Sequence, residues 1–167
     1  WATHQAIEDI SLMRSIPNMT VIVPCDAAET RRAVEFAVEY KGPVYIRITR
    51  GDLPVYTPED LEYSIGRMYT VREGKDVVIF ANGVMVSKAM EAAEMLQKED
   101  ISIAVVNVST VKPLDVEALV DKVKGFKGVV VAEEHSIIGG LCSAVAVAFK
   151  KRRVNIPLDF VAIDDRF

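Results

Sequence analysis

Apolar residues alternate along the chain between short unbroken runs and helical spacings, and that alternation predicts an α/β protein. Ile7, Ile10, Leu12 and Met13 fall mostly at helical spacing and predict a short helix over 6–15, with Thr3 as a capping residue in front of it. The run "NMTVIVPCD" predicts a buried strand, and Asp26 then stands as N-cap of a helix "AAETRRAVEFAVEYKG" that Gly42 closes. "PVYIRITR" predicts a further strand ending at Arg50 and Gly51. Residues 52–76 lose the rhythm: "GDLPVYTPEDLEY" carries Pro54, Pro58 and several acids and reads as a linker, and "GRMYTVREGKD" reads as a short edge strand and turn. Beyond it the strands "DVVIFANG", "ISIAVVNV", "GVVVAEE" and "LDFVAI" interleave with the helices "VMVSKAMEAAEMLQKED", "LDVEALVDKVKG" and "GGLCSAVAVAFKKR".

Short continuous apolar strands interleaved with helices indicate a mostly parallel sheet covered on both faces. The first two strands and two helices make only half of an α/β layer, so both strands are expected to show open edges. This predicts that the chain is a section of a larger assembly.

Composition narrows the function classes. Half of the 167 residues are hydrophobic and 26% are charged, as in a globular protein with a real core. A net charge of −4, with "KKRR" at 150–153 as the only basic cluster, argues against nucleic-acid binding, because a basic cluster ending a helix complements its dipole. No apolar run is long enough to span a membrane. Cys25 and Cys142 lie far apart in apolar runs and read as reduced, buried thiols of a cytoplasmic protein.

Three places could carry chemistry. "ANGVMVS" has the strand, glycine, helix layout of a phosphate-binding turn, but with one glycine where a dinucleotide fingerprint has three, so it reads as a plain turn. In "EEHSIIGG", Glu133, Glu134 and His135 sit at the carboxyl end of a strand, where they could transfer protons or bind a metal; a polar contact with another subunit is the favoured reading. Gly139 and Gly140 read as packing glycines. Arg50 would project at the same sheet edge, suited either to bidentate capture of a phosphate or carboxylate or to a surface salt bridge. His4 opens the chain in "THQ", as a terminal residue or as part of a site.

The blocks "THQAIEDISLMRSIPNMTVIVPCDAAET", "GPVYIRITRGDLP" and "AEEHSIIGGLCSAVA", in that order, resemble the C-terminal part of transketolases, thiamine-diphosphate enzymes that move two-carbon ketol units between sugar phosphates. The resemblance implies that residues 1–55 are the tail of the pyrimidine-binding domain, that 56–75 hold the linker and the start of an edge strand, and that 66–167 form the C-terminal domain. It further implies a five-stranded mixed sheet whose one antiparallel strand is 67–72, in a three-layer α/β/α unit.

Carried over by residue, the resemblance gives His4 the family's proton-transfer histidine beside the reacting carbonyl, and Arg50 the arginine that holds the sugar phosphate. Thiamine diphosphate and Mg²⁺ are implied for the complete enzyme, bound mainly by parts outside this chain. The implied partners are an N-terminal transketolase domain or subunit and a second copy of the protein in a dimer, acting in the cytoplasm. The chain alone is then expected to be inactive. Cys142 departs from the family, standing where relatives have a third glycine. The rival expectations are deoxyxylulose phosphate synthase or a related thiamine enzyme, against which "THQAIED" argues, and a non-catalytic dimerisation module.

Overall fold

The computed structural model describes residues 6–166. Two sheets form. The smaller has β1 (Thr20–Ile22) at its centre, with β2 (Val44–Ile46) parallel to it on one side and β6 (Thr110–Lys112) antiparallel on the other. The larger has five strands in the order β3 (Tyr69–Arg72), β5 (Ile103–Asn107), β4 (Val77–Ala81), β7 (Gly128–Ser136) and β8 (Leu158–Ile163). Four of them run parallel and β3 runs antiparallel to β5, with Tyr69 opposite Asn107. The odd strand therefore lies within the 67–72 stretch that the family resemblance implies.

The helices are α1 (Asp9–Ser15), α2 (Ala27–Glu39), α3 (Met85–Gln97), α4 (Val116–Lys122) and α5 (Leu141–Arg152). Successive side chains of the larger sheet divide between its faces, as the two-residue period of a strand requires. Val78, Phe80, Ala104, Val106, Val129 and Val131 join Leu141, Val145 and Phe149 of α5 on one side. Ile79, Ala81, Ile103 and Val105 meet Val86, Ala89 and Ala93 of α3 on the other. Both faces are covered, which is why these strands read as unbroken apolar runs.

The smaller sheet is not a separate body. Ile10, Val21 and Val23 are fully buried in the same apolar core as Phe80 and Leu141. β6, which comes from the later part of the chain between β5 and α4, covers the β1 edge that the sequence pattern leaves open; β2 is left as an outer strand. The expectation of two open edges is corrected accordingly.

Asp26 caps α2 as expected, its Oδ1 accepting from the Glu29 backbone N–H at 2.9 Å. It also ties down the linker. The backbone N–H groups of Tyr56 and Thr57 donate to Oδ2 at 2.7 and 2.8 Å, and the Thr57 hydroxyl donates to the same carboxylate. Burial pushes Asp26 up, but these hydrogen bonds outweigh it and hold the carboxyl below its ordinary range. One turn on, burial pushes Glu29 above its ordinary range, against hydrogen bonds from Ser109, the Cys25 backbone and Asn107 that pull it down. Asn107 on β5 donates its amide to both Glu29 oxygens, so α2 and the larger sheet meet through a buried polar contact.

No helix among the described residues is long and apolar enough to cross a membrane.

Candidate functional site

The segment before α1, α1 itself and the "EEHSIIGG" block meet beside the end of β7. α1 is shorter than its apolar spacing predicts: it begins at Asp9, the preceding Glu8 makes no side-chain cap, and Leu12 is largely exposed while Ile10 is fully buried. Thr3, the expected cap, and His4, the expected catalytic histidine, lie outside the described residues.

The segment in front of α1 and the helix itself are stitched to the "EEHSIIGG" block. The Ser136 N–H donates to the Ile7 carbonyl at 2.7 Å. The Ser11 N–H donates to Nε2 of His135 at 3.3 Å, while Nδ1 of the same ring lies 2.7 Å from the Ser136 carbonyl. Nε2 accepts, so Nδ1 carries the proton and donates; both ring nitrogens are occupied and the imidazole is fully buried. The Arg14 guanidinium donates to the carbonyls of Gly139 and Gly140.

Glu133 is equally committed. Its Oε2 accepts from the Leu141 N–H at 2.6 Å and its Oε1 from the Cys142 N–H at 2.8 Å, two of the otherwise unpaired donors that begin α5. Glu133 and His135 thus hold the starts of α5 and α1 within this chain. Gly139 and Gly140 pack as the sequence suggests: a Cβ on Gly139, which has φ +82°, would strike Ser11, and one on Gly140 would strike the Glu133 carboxylate. Cys142 is buried, its backbone part of the Glu133 contact, and burial together with Glu133 raises its thiol pKa. Cys25 is also a buried free thiol, pushed up chiefly by burial.

Arg50 does not end its strand. β2 stops at Ile46, and Arg50 lies four residues further on, exposed in a bend next to Gly51, whose φ is +130°. An exposed guanidinium on a loop is free to meet an anion. The arginine that follows the strand directly is Arg47, which sequence reasoning passed over. Its Nε lies 3.2 Å from Asp9 Oδ2, its Nη1 lies 3.8 Å from Glu134, and its Nη2 donates to the Ala6 carbonyl at 3.0 Å. Tyr45, two residues back on the same strand face, donates its hydroxyl to Asp9 Oδ2 at 2.7 Å. Burial, with Asp9 adding to it, pushes the Tyr45 phenol up to about 12. The signal was the alternation itself: Tyr45 and Arg47 must share a face.

Among the described residues, no three His, Cys, Asp or Glu side chains gather as a metal site would need. The β4–α3 turn is no open phosphate cradle either, since the Gly83 N–H already donates to the Val23 carbonyl at 3.3 Å. These residues do not fit a metal–diphosphate group.

Comparison with known proteins agrees with this architecture. The family description "Transketolase, pyrimidine binding domain" matches residues 2–55, and "Transketolase, C-terminal domain" matches residues 66–166. A 6-deoxy-6-sulfo-D-fructose transketolase subunit from a Clostridium species is 42% identical over 99% of this chain and 51% of its own length. A 1-deoxy-D-xylulose-5-phosphate synthase from Rippkaea orientalis is 39% identical over 98% of this chain and 26% of its own. Among solved structures, a "split gene transketolase, inactive beta4 tetramer" superposes with a TM-score of 0.92 at 49% identity, covering 98% of this chain and 54% of that one. The chain thus spans about half the length of the transketolase relatives it matches.

Proposed function

Because the chain belongs to the transketolase family, we propose that it is the C-terminal section of a thiamine-diphosphate enzyme that transfers two-carbon ketol units between sugar phosphates. The observation that carries this reading is the succession, over nearly the whole chain, of the two family descriptions, with "THQ" and "TRGDLP" in the first. Residues 1–55 then complete a pyrimidine-binding domain, 56–75 hold the linker and the start of the edge strand, and 66–167 form the C-terminal domain.

Two residues of the chain act on the substrate. His4 serves proton transfer at the reacting carbonyl. Arg50, exposed beyond β2, holds the phosphate at the far end of the sugar, and that remote binding energy positions the carbonyl. Thiamine diphosphate and Mg²⁺ are bound mainly by parts of the assembly outside this chain. The half-length match to subunits and split-gene relatives supports an N-terminal partner section. The solved relative, an inactive tetramer of β chains, supports self-association of this section without turnover. In this reading the protein works in the cytoplasm as a homo-oligomer, at minimum a dimer, and the isolated chain is inactive.

The test uses the enzyme reassembled with its N-terminal section. His4→Ala lowers ketol transfer between sugar phosphates, and Arg50→Ala acts mainly by raising KM for the phosphorylated substrate. Unchanged kinetics in both variants overturns the site assignment. The match to deoxyxylulose phosphate synthases supports a second reading, and it is decided by the product: deoxyxylulose phosphate formed in place of ketol exchange.

A further inference from the structure

We infer that Asp26 and Tyr69 are positioning residues for Arg50, tying one end of the loop that carries it to the larger sheet; this rests on the reading of Arg50 as the residue that holds the substrate phosphate. The loop runs from the end of β2 to Thr57 and is held at both ends. At its start the Arg47 N–H donates to the Ile22 carbonyl at 2.8 Å, continuing the pairing of β2 with β1. At its end the Tyr56 and Thr57 N–H groups donate to Asp26 Oδ2 at 2.7 and 2.8 Å. The buried Thr57 hydroxyl gives its single proton to the same carboxylate, so its oxygen accepts from the Tyr69 hydroxyl, 2.9 Å away on β3. One chain of hydrogen bonds therefore joins α2, the linker and β3, and the support under Arg50 comes from the larger sheet as well as the smaller.

The middle of the loop leans on the larger sheet too. Thr49 is half-buried between the exposed Ile48 and Arg50, and a Cβ on Gly83, in the β4–α3 turn, would lie 3.7 Å from its Oγ1. That turn is itself tied to the end of β1, since the Gly83 N–H donates to the Val23 carbonyl. Arg50 thus stands on a loop supported at its start, middle and end, while its own side chain is left exposed beside Gly51. A loop fixed before the substrate arrives has less disorder to lose on meeting the phosphate, so freeing one end weakens binding rather than chemistry. Asp26 divides its work between two oxygens: Oδ1 caps α2 and Oδ2 takes the two linker N–H groups. Asparagine keeps the capping oxygen but sets amide hydrogens against those N–H groups, so Asp26→Asn loosens the linker and leaves the start of α2 in place.

The experiment uses the enzyme reassembled with its N-terminal section and reads kcat and KM for a ketose phosphate and for the same ketose without its phosphate. Asp26→Asn is expected to raise KM for the phosphorylated sugar by roughly 3- to 10-fold at little change in kcat. For the sugar without phosphate, kcat/KM is expected to stay within about twofold of the parent. In the Arg50→Ala background the same substitution is expected to add almost nothing, because the group it positions is gone. A loss shared equally by the two sugars, or one that persists in full without Arg50, marks a general loosening of the fold and overturns the inference; so does an unchanged KM. If Asp26→Asn does not fold by circular dichroism, Tyr69→Phe carries the same cycle, removing only the hydroxyl that meets Thr57 and Cys25. The same rise in KM, confined to the phosphorylated sugar and to enzyme that has Arg50, is expected there, and its absence overturns the inference. An Arg50→Ala enzyme with the parent's KM for the phosphorylated sugar removes the reading of Arg50 and the inference with it, so the two failures are told apart.

Discussion

At Gly140 the missing side chain is the structural requirement. A Cβ there would collide with the Glu133 carboxylate while that carboxylate holds the Leu141 and Cys142 N–H groups at the start of α5. Gly140→Ala must therefore displace either the helix or its buried acceptor, and overpacking of this kind costs about 1–3 kcal/mol. A thermal melt of the chain should show the loss, and an unchanged midpoint would refute the packing account. The sequence marked the glycine pair as packing residues but left the acids beside them between chemistry and a contact with another subunit. Their real task depends on which backbone N–H groups fold back onto them, and α5 begins eight residues after Glu133. The role of His135 was hidden for the same reason, since its partner Ser11 lies 124 residues away.

Among the elements, α2 carries two buried acids one turn apart with opposite pH behaviour. Asp26 is held below its ordinary range, so its contribution to stability is present above the unfolded-state pKa and is lost as pH falls through its folded value. Glu29 is raised, so its contribution is present below the unfolded-state pKa and is lost as pH rises toward its folded value. Urea unfolding of the chain between about pH 3 and pH 8 should separate them. Asp26→Asn, which keeps a capping side chain, should flatten the acid limb. Glu29→Gln should flatten the limb above the ordinary carboxylate range. Curves parallel to the parent's would contradict both assignments. The Asp26 cap was legible because a cap is a local signal; its grip on Tyr56 and Thr57, thirty and thirty-one residues on, was not. The strands of the larger sheet were legible too, and the direction of β3 through the family resemblance alone. β6 was hidden, being three residues long, directly ahead of Pro113, and paired with β1 some ninety residues earlier. Arg50 was visible from its place after the predicted strand as well as through family likeness, while Arg47, which alternation sets on the face of Tyr45, was passed over.

For the molecule as a whole, the crossing of β6 into the first sheet bears on how the chain can be divided. The exposed stretch from Gly51 to Val55 is where a protease would cut most easily, just ahead of the anchored Tyr56. Yet such a cut would not release two products. The amino-terminal piece would still share β1 with β6, its Asp26 would still hold Thr57, and Ile10, Val21 and Val23 would stay in a core built mostly by the other piece. Limited proteolysis should therefore yield a nicked species that elutes from a sizing column with the intact chain and parts only in denaturant; separate elution of the pieces would refute the shared core. The same interlocking constrains any rearrangement of the gene. A break in the linker would leave one translation product with β1 and β2 but no β6, and the other with a complete larger sheet but an unpaired β6, so a division that keeps both sheets whole has to fall outside the span from β1 to β6.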